Sequence, residues 1–100
     1  LNTSFSLNYN PSTLSVSPNP FIINENDGII FSNVTAKTTV KLMNLSGIVL
    51  MDFEIDYNGQ KVYWDGKSNN GSNIPTGVYL LASSSPKQNS GVTKIAIIRK

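Results

Sequence analysis

The stretch Phe53–Gly66, FEIDYNGQKVYWDG, decides the fold class. At its centre, Asn58-Gly59 separates two runs in which apolar and polar residues alternate. Asn-Gly is the strongest short-range signal for a two-residue hairpin turn, because both central positions of that turn need a positive φ. The register of this predicted hairpin places Phe53 directly opposite Trp64.

One face of the predicted hairpin is apolar and the other is polar. The apolar face carries aromatic and β-branched side chains that suit a core, namely Phe53, Ile55, Tyr57, Val62 and Trp64. The polar face carries side chains that suit water, namely Glu54, Asp56, Lys61 and Tyr63. Because such a strand pair must be covered by a second sheet, we expect the rest of the chain to supply that sheet.

The composition favours an all-β domain with a nearly neutral surface. Its 100 residues suit one domain, and 14% of them are charged against about 25% in an average protein. The polar share is filled by Asn, Ser and Thr, which favour turns and strand faces over helices. The net charge of +2 forms no basic stripe and accompanies no recognisable module, so we expect no nucleic-acid partner.

The sequence lacks the residue types on which many catalytic and metal sites depend. It has no Cys and no His, which excludes disulfides, thiolate catalysis and His-based metal sites within this chain. No apolar run approaches the roughly 20 residues of a membrane span. We therefore expect a non-enzyme without cofactor, metal or transmembrane segment.

The chain begins with Leu1 and reads as a processed or excised part of a longer protein. Residues 1–10 lack the basic start and the apolar run of a signal peptide. We interpret residues 1–11 as a linker or the end of a preceding domain. Residues 12–100 are then expected to form the folded domain.

Turn residues divide the chain into about seven short strands. These strands are predicted in residues 11–17, 28–34, 38–45, 48–57, 60–64, 77–83 and 91–99. The alternation changes phase within 48–57, which predicts a β-bulge near Leu50-Met51. Seven strands without helical periodicity predict an antiparallel two-sheet sandwich of immunoglobulin-like architecture.

Two acidic segments resemble functional sites but have simpler structural interpretations. Asp52, Glu54 and Asp56 alternate on one strand face, yet we expect them to face solvent with Lys61 opposite, which does not favour acid–base catalysis. Asp65-Gly66 with the following asparagines lacks EF-hand spacing and is better explained by turn chemistry. A weak cation site at Asp65 stays open.

Four motifs in sequence order resemble the C-terminal sorting domains of the type IX secretion system. Pro18-Asn19-Pro20-Phe21 resembles the opening YPNPF of that family, and residues 40–49, VKLMNLSGIV, resemble its VKIYDLSGRLV. Residues 64–79 resemble a segment shared with the immunoglobulin-like domain of flagellar hook-capping proteins. Residues 92–99, VTKIAIIR, resemble the closing strand KIAVIR, so the resemblance covers residues 15–100.

The resemblance implies a non-catalytic targeting domain of an exported protein on the outer face of the cell surface. Its expected partners are the outer-membrane translocon, the shuttle protein and the sortase of the secretion system. The domain is expected to be either cleaved or retained. Two alternatives stay open: a structural immunoglobulin-like spacer, and a carbohydrate-binding module whose signature would be an exposed aromatic row instead of a buried Trp64.

The last strand is the expected recognition element. If residues 94–99 lie at a sheet edge, their backbone can pair with a receptor strand while Ile95, Ile97 and Ile98 fill pockets. The basic side chains near the end would then meet an acidic receptor or anionic lipopolysaccharide. The predicted recognition residues are Gly77, Val92, Lys94, Ile95, Ala96, Ile97, Ile98, Arg99 and Lys100. The predicted structural-motif residues are Pro18, Asn19, Pro20, Gly47, Asn58, Gly59, Trp64, Asp65 and Gly66.

Overall fold

The structure is a computed structural model that describes residues 14–34, 36–85 and 88–100, with only the backbone for 88–90. The predicted linker, residues 1–11, lies outside this part, so the domain division stays a prediction. Within the described ranges all regular structure is β-strand. The strands are β1 (Ser15–Ser17), β2 (Phe21–Ile23), β3 (Gly28–Ser32), β4 (Thr38–Met43), β5 (Val49–Ile55), β6 (Gln60–Tyr63), β7 (Gly77–Ser85) and β8 (Gln88–Arg99).

The strands form two sheets, which confirms the predicted immunoglobulin-like sandwich. The small sheet has the order β1-β3-β6 and the large sheet has the order β2-β8-β7-β4-β5. All pairs are antiparallel except β2 with β8, which is parallel. Nothing in the described part of the chain forms a helix capable of crossing a membrane.

The core lies between the sheets and takes alternate residues from each strand. Val40 and Leu42 of β4 are buried, whereas Lys41 between them is exposed. The largest fully buried side chains include Phe21, Phe31, Ile55, Leu81, Ile95 and Ile97. Burying each aliphatic or aromatic side chain of this size stabilises the fold by about 1.5–3 kcal/mol, so these residues define which face of each strand turns inward.

The strands around Asn58-Gly59 do not form the predicted hairpin. β5 pairs with β4 in the large sheet, whereas β6 pairs with β3 in the small sheet. Asn58-Gly59 is therefore a corner between sheets, and of its two residues only Gly59 has a positive φ, 83°. The Asn58 side chain accepts a hydrogen bond from the Val34 N–H (3.1 Å), which joins this corner to the end of β3.

The apolar faces of β5 and β6 explain this correction. Because β5 and β6 lie in opposite sheets, the apolar face of each strand turns toward the core between the sheets. In a hairpin the two apolar faces would instead lie side by side in one sheet. Phe53 and Trp64 do meet as expected, but across the core and edge to face, with ring centroids 5.8 Å apart. Tyr57 lies beyond the end of β5 and is 63% exposed, so its assignment to the core face was wrong.

The predicted β-bulge is confirmed. Leu42 pairs with Met51 and Met43 pairs with Val49, which leaves Leu50 as the extra residue of β5. An extra residue restores the inward orientation of the following apolar positions, since side chains alternate strictly along a regular strand.

The last strand lies at a sheet edge over only part of its length. β8 pairs with β7 along most of its length and with β2 at residues Ile97–Arg99. The condition that residues 94–99 lie at an edge is therefore not met in their C-terminal half. The parallel pairing of β2 with β8 joins residues about 75 positions apart, which local alternation does not encode.

Candidate functional site

The predicted recognition residues divide between the two faces of β8. Ile95 and Ile97 point into the core and are fully buried, so they are not available to a receptor in the folded domain. Val92 is 59% exposed and Lys94 is exposed on the opposite face. Ala96 and Ile98 lie on that same outer face and are half-buried. Only the outer set can contact another molecule without unfolding the strand.

The Pro-Asn-Pro motif covers part of the backbone edge of β8. The Asn19 side-chain amide donates to the Lys94 carbonyl (3.1 Å), and its oxygen accepts from the Ala96 N–H (3.0 Å). Asn19 thus makes the two bonds that a neighbouring strand would make at this position. A receptor strand that paired here would have to displace Asn19, so the backbone groups of β8 at this position are less available for strand pairing.

Arg99 holds the loop before β7 and does not project toward a partner. Its Nε donates to the Ile74 carbonyl (2.9 Å) and its Nη2 donates to the Gly66 carbonyl (2.7 Å). Its backbone N–H donates to the Thr76 hydroxyl (2.9 Å). Arg99 is a clamp between the last strand and the loop, because a planar guanidinium can reach two carbonyls at once.

The last residue is also held by neighbouring side chains. The Lys100 ammonium forms an ion pair with Glu25, and the Asn24 amide donates to the Lys100 carbonyl (3.3 Å). Of the three basic residues near the C-terminus, Lys94, Arg99 and Lys100, Lys94 is the one whose side chain has neither a carboxylate nor a carbonyl partner within the described ranges.

The Trp64-Asp65-Gly66 motif builds a rigid turn against the core. Trp64 is 7% exposed, its ring centroid lies 5.3 Å from that of Phe21, and its indole N–H donates to the Lys67 carbonyl (2.9 Å). The Asp65 carboxylate accepts from the Lys67 N–H (3.1 Å), which is the expected turn chemistry. Because Trp64 is buried, its indole ring does not form part of an exposed aromatic row, the signature expected of a carbohydrate-binding module.

Gly66 is required by both conformation and space. It has a φ of 80°, and a Cβ at this position would lie 2.6 Å from the Cδ1 atom of Ile23. The loop backbone can therefore approach β2 closely only because no side chain intervenes. The Gly66 carbonyl accepts hydrogen bonds from the Arg99 guanidinium and from the Ile74 N–H (3.0 Å). These bonds connect the Trp64-Asp65-Gly66 motif to the last strand.

The two remaining glycines of the predicted sets lie at turn and strand boundaries. Gly47 has a φ of 88° in the turn between β4 and β5, and its N–H donates to the Asn44 carbonyl (3.0 Å). Gly77 begins β7 and pairs with Ile97. Turns 44–48, 64–76 and the C-terminus consequently lie at the same end of the large sheet, because Met43 also pairs with Leu80 near the start of β7.

The acidic residues of β5 contact other partners than the one expected. Lys41 forms an ion pair with Asp52 at 3.2 Å, and Glu54 accepts a hydrogen bond from the Thr39 hydroxyl (3.2 Å). The expectation that Lys61 lies opposite these residues was wrong, because Lys61 belongs to the small sheet. Among the described residues no group of three or more potential ligands could hold a metal ion.

Lys61 instead pairs with Asp27 at 2.7 Å on the small sheet. The hydrogen bond from Lys61 lowers the pKa of the Asp27 carboxyl below its ordinary value of 3.8, against a smaller opposing effect of desolvation. The same hydrogen bond raises the pKa of Lys61 above 10.5. The Asp27 side chain is largely accessible and the Lys61 side chain is partly accessible, so this pair is a surface feature.

One large feature was not predicted from the sequence, the apolar outer face of the large sheet. Residues 77–83 were predicted as a strand, and the positions between its buried residues are also apolar: Val78, Leu80 and Ala82. An antiparallel sheet with one solvated face normally alternates apolar with polar residues. In β7 the inward-facing and the outward-facing positions are both apolar, and this pattern in the sequence could have identified the face.

Comparison with known proteins relates the chain to a bacterial secretion system. No family model and no curated protein matches it. A solved structure of PorZ, described as an essential bacterial surface component of the type IX secretion system of Porphyromonas gingivalis, aligns at a TM-score of 0.64 and 26% identity. That alignment covers 86% of this chain and 11% of PorZ. The resemblance to a type IX secretion system protein is confirmed.

A second solved structure shares the fold. Dimeric latent PorU from Porphyromonas gingivalis aligns at a TM-score of 0.61 and 19% identity, over 87% of this chain and 9% of PorU. The chain thus spans about a tenth of the length of PorZ and PorU. The comparison identifies a domain similar to a part of such proteins.

Proposed function

We propose that this domain is a non-catalytic secretion signal and surface-attachment domain of a type IX secretion system protein. The observation that carries the proposal is the alignment with PorZ over 86% of the chain, together with the ordered motifs of residues 15–100. The proposed location of the parent protein is the outer face of the cell surface. Its proposed partners are the translocon, the shuttle protein and the sortase.

The structure restricts which residues can serve such a signal. Ile95 and Ile97 stabilise the core, and Arg99 holds the loop at Gly66. Recognition of the folded domain would therefore use the outer face of β8, which carries Val92 and Lys94. Deleting residues 94–100 would remove both buried isoleucines, so loss of secretion after that deletion would report unfolding as much as loss of a signal.

A fusion experiment tests the proposal without that ambiguity. The full 100-residue chain is joined to the C-terminus of a reporter that carries its own signal for export to the periplasm, in a bacterium that has the secretion system. We expect the reporter at the cell surface in the wild-type strain and in the periplasm in a strain that lacks the translocon. Protease treatment of intact cells measures the accessible fraction.

The same fusion distinguishes a signal from a structural spacer. A spacer would leave the reporter in the periplasm of both strains while the domain resists proteolysis in extracts, and that result would contradict the proposal. A matched control is the fusion with Ile97→Asn, which places a polar group at a fully buried position. This variant is expected to be degraded, which shows that the readout responds to folding.

A further inference from the structure

The outer face of the large sheet carries a continuous apolar band. The band crosses all five strands and consists of Ile22, Ile98, Val78, Leu80, Met43 and Val49. Val78 is 49% exposed, and Val49 is also exposed. Scattered exposed apolar residues are ordinary on protein surfaces, but a contiguous apolar patch marks an interaction site.

Strand register shows that the members of the band are true neighbours. Ile22 pairs with Ile98 across β2 and β8, and Ile98 is a diagonal neighbour of Val78, which pairs with Ala96. Leu80 pairs with Met43 across β7 and β4, and Met43 pairs with Val49 across β4 and β5. Paired residues point to the same face with Cβ atoms about 4.5–5.5 Å apart, so their side chains form one surface.

The band ends at a cleft beside the edge of β5. Ile48, Val49 and Leu50 form one wall, and residues 68–70 form the other, around a volume of about 240 Å³. The N–H of Asn69 donates to the Leu50 carbonyl (2.9 Å), which fixes the second wall against the sheet. A preformed cleft next to an apolar surface suits an anchoring side chain of a protein partner.

Lys94 gives the band its electrostatic character. It pairs with Leu80 across the strands, so its charge lies at the margin of the band, and within the described ranges it forms no ion pair. The other cation of this face, Lys41, already pairs with Asp52. A complementary partner therefore needs an apolar surface and a carboxylate placed opposite Lys94.

We propose that this band docks a separate folded protein that presents an apolar sheet face with a carboxylate at its margin. Two sheets pack face to face at about 10 Å with interdigitating side chains, which is the geometry that a flat apolar sheet surface accepts. The proposal rests on the proposed function, since it names the surface through which the secretion machinery holds the domain. Lys94 fixes the orientation of the partner, and the cleft at Val49 receives its anchor.

The charges of the face favour a protein over an anionic lipid surface. Recognition of anionic lipid uses clusters of about 4–8 basic residues. The band has Lys94 at its margin, and Lys41 is neutralised by Asp52. A single unpaired cation beside an apolar surface matches one carboxylate of a protein.

The same charges disfavour a second copy of this chain. A second copy would need a carboxylate in its own band to face Lys94. The acidic side chains of β5 on this face, Asp52 and Glu54, lie outside the band and contact Lys41 and Thr39. Asp56, which follows the end of β5, forms an ion pair with Lys37. The carboxylate must come from a different protein.

Site-specific photo-crosslinking in cells tests the docking surface. A photoreactive amino acid replaces Val78 in the full chain on the exported reporter, and a matched control carries it at Ile30, which is 37% exposed on the small sheet. We expect a cross-link from position 78, and none from position 30, to one separate protein. Electrophoresis and mass spectrometry identify the product.

Charge reversal makes the test specific for Lys94. Lys94→Glu is expected to lower the cross-link yield at least about tenfold, because a carboxylate would face another carboxylate in a desolvated contact. The matched control, Lys67→Glu, changes the same charge on an exposed loop residue without an ion pair in the described ranges and is expected to leave the yield unchanged. Changing the facing carboxylate of the partner to lysine is expected to restore the Lys94→Glu cross-link.

Each other outcome overturns the docking proposal. Cross-links to a second copy, to another part of the same chain or to lipid would each identify a different occupant, and absence of any cross-link would show an unoccupied face. An unchanged yield for Lys94→Glu would remove the electrostatic argument. If the reporter still reaches the surface through the translocon in these cases, the docking proposal fails while the proposed function stands. If translocation is independent of the translocon, the proposed function fails as well.

Discussion

The two faces of β8 differ in their burial. On the inner face, Ile95 and Ile97 are fully buried between the sheets, so their substitution acts on the folded state as a whole. On the outer face, Lys94 and Ile98 lie on or beside an apolar band that no described element covers. One strand thus supplies stability through one parity of its residues and part of the proposed docking surface through the other.

This difference teaches that apparent signal residues must be separated by face before they are mutated. A change at Ile97 lowers the stability of the fold, because this side chain lies in the core and not at a surface that a partner can reach. A change at Lys94 leaves the core intact. The predictions below compare how much the free energy of unfolding changes when residues are substituted on the inner face of β8, at its end, at its edge and on the surface of the small sheet.

The largest effect is expected from truncation on the inner face. Ile97→Ala should lower the free energy of unfolding by about 2–5 kcal/mol, because it leaves a cavity in a closely packed core. The adjacent control, Ile98→Ala, removes the same atoms from the half-buried outer face and should cost clearly less. Urea denaturation of both variants measures the difference, and equal losses would show that the outer face is as tightly packed as the core.

Removal of the clamp at the end of β8 is expected to have the next largest effect. Arg99→Lys keeps the charge but cannot reach both the Gly66 and the Ile74 carbonyls. The expected loss in the free energy of unfolding is about 1–3 kcal/mol, the range for partly buried polar groups left without their partners. Lys94→Met, a cation change on the outer face, serves as the control and should stay within about 0.5 kcal/mol of the original. Equal stability of Arg99→Lys and the original would mean that the clamp does not stabilise the loop.

Local alternation predicted most of the inward-facing side chains of the two strands around Asn58-Gly59, because inward and outward positions alternate wherever one face meets the core. It therefore identified Phe53, Ile55 and Trp64 as core residues, and the phase change predicted the bulge near Leu50-Met51. It could not predict which strands are neighbours. Asn58-Gly59 has the sequence of a hairpin turn, but burial of both flanking strands against one core outweighs the local preference and makes it a corner.

The candidate site was predictable in part for the same reason. The residues of β8 were identified from their motif, but the capping of its edge by Asn19 depends on a contact 75 residues away in sequence. The same holds for the bond between Arg99 and Gly66, which spans 33 residues. The apolar outer face needs the order of five strands before its members become neighbours, so a single strand shows only one part of it.

An intermediate effect is expected at the capped edge of β8. Asn19→Ala removes both bonds to the strand and should cost about 1 kcal/mol, the net value of ordinary hydrogen bonds at an accessible site. Hydrogen exchange at the Ala96 amide should become faster, since this N–H loses its acceptor. Asn19→Asp keeps the acceptor for the Ala96 N–H and loses the donor to the Lys94 carbonyl. The protection of the Ala96 amide against exchange should therefore be retained in this variant. Faster exchange in Asn19→Asp would contradict the assigned orientation of the Asn19 amide.

The smallest effect is expected from the Asp27–Lys61 pair on the surface of the small sheet. Because the pKa of Asp27 is lowered in the folded state, its contribution is fully present above the ordinary value of 3.8 and is lost as the pH falls through the lowered pKa. Because the pKa of Lys61 is raised, its contribution is present below 10.5 and is lost as the pH rises through the raised pKa. Asp27→Asn should therefore weaken the dependence of stability on pH at both extremes. Urea denaturation across the pH range, with Lys61→Gln and the double variant, completes a double-mutant cycle. Additive effects of the two substitutions would show that the pair is uncoupled, and a coupling that decreases with added salt would place it at the surface.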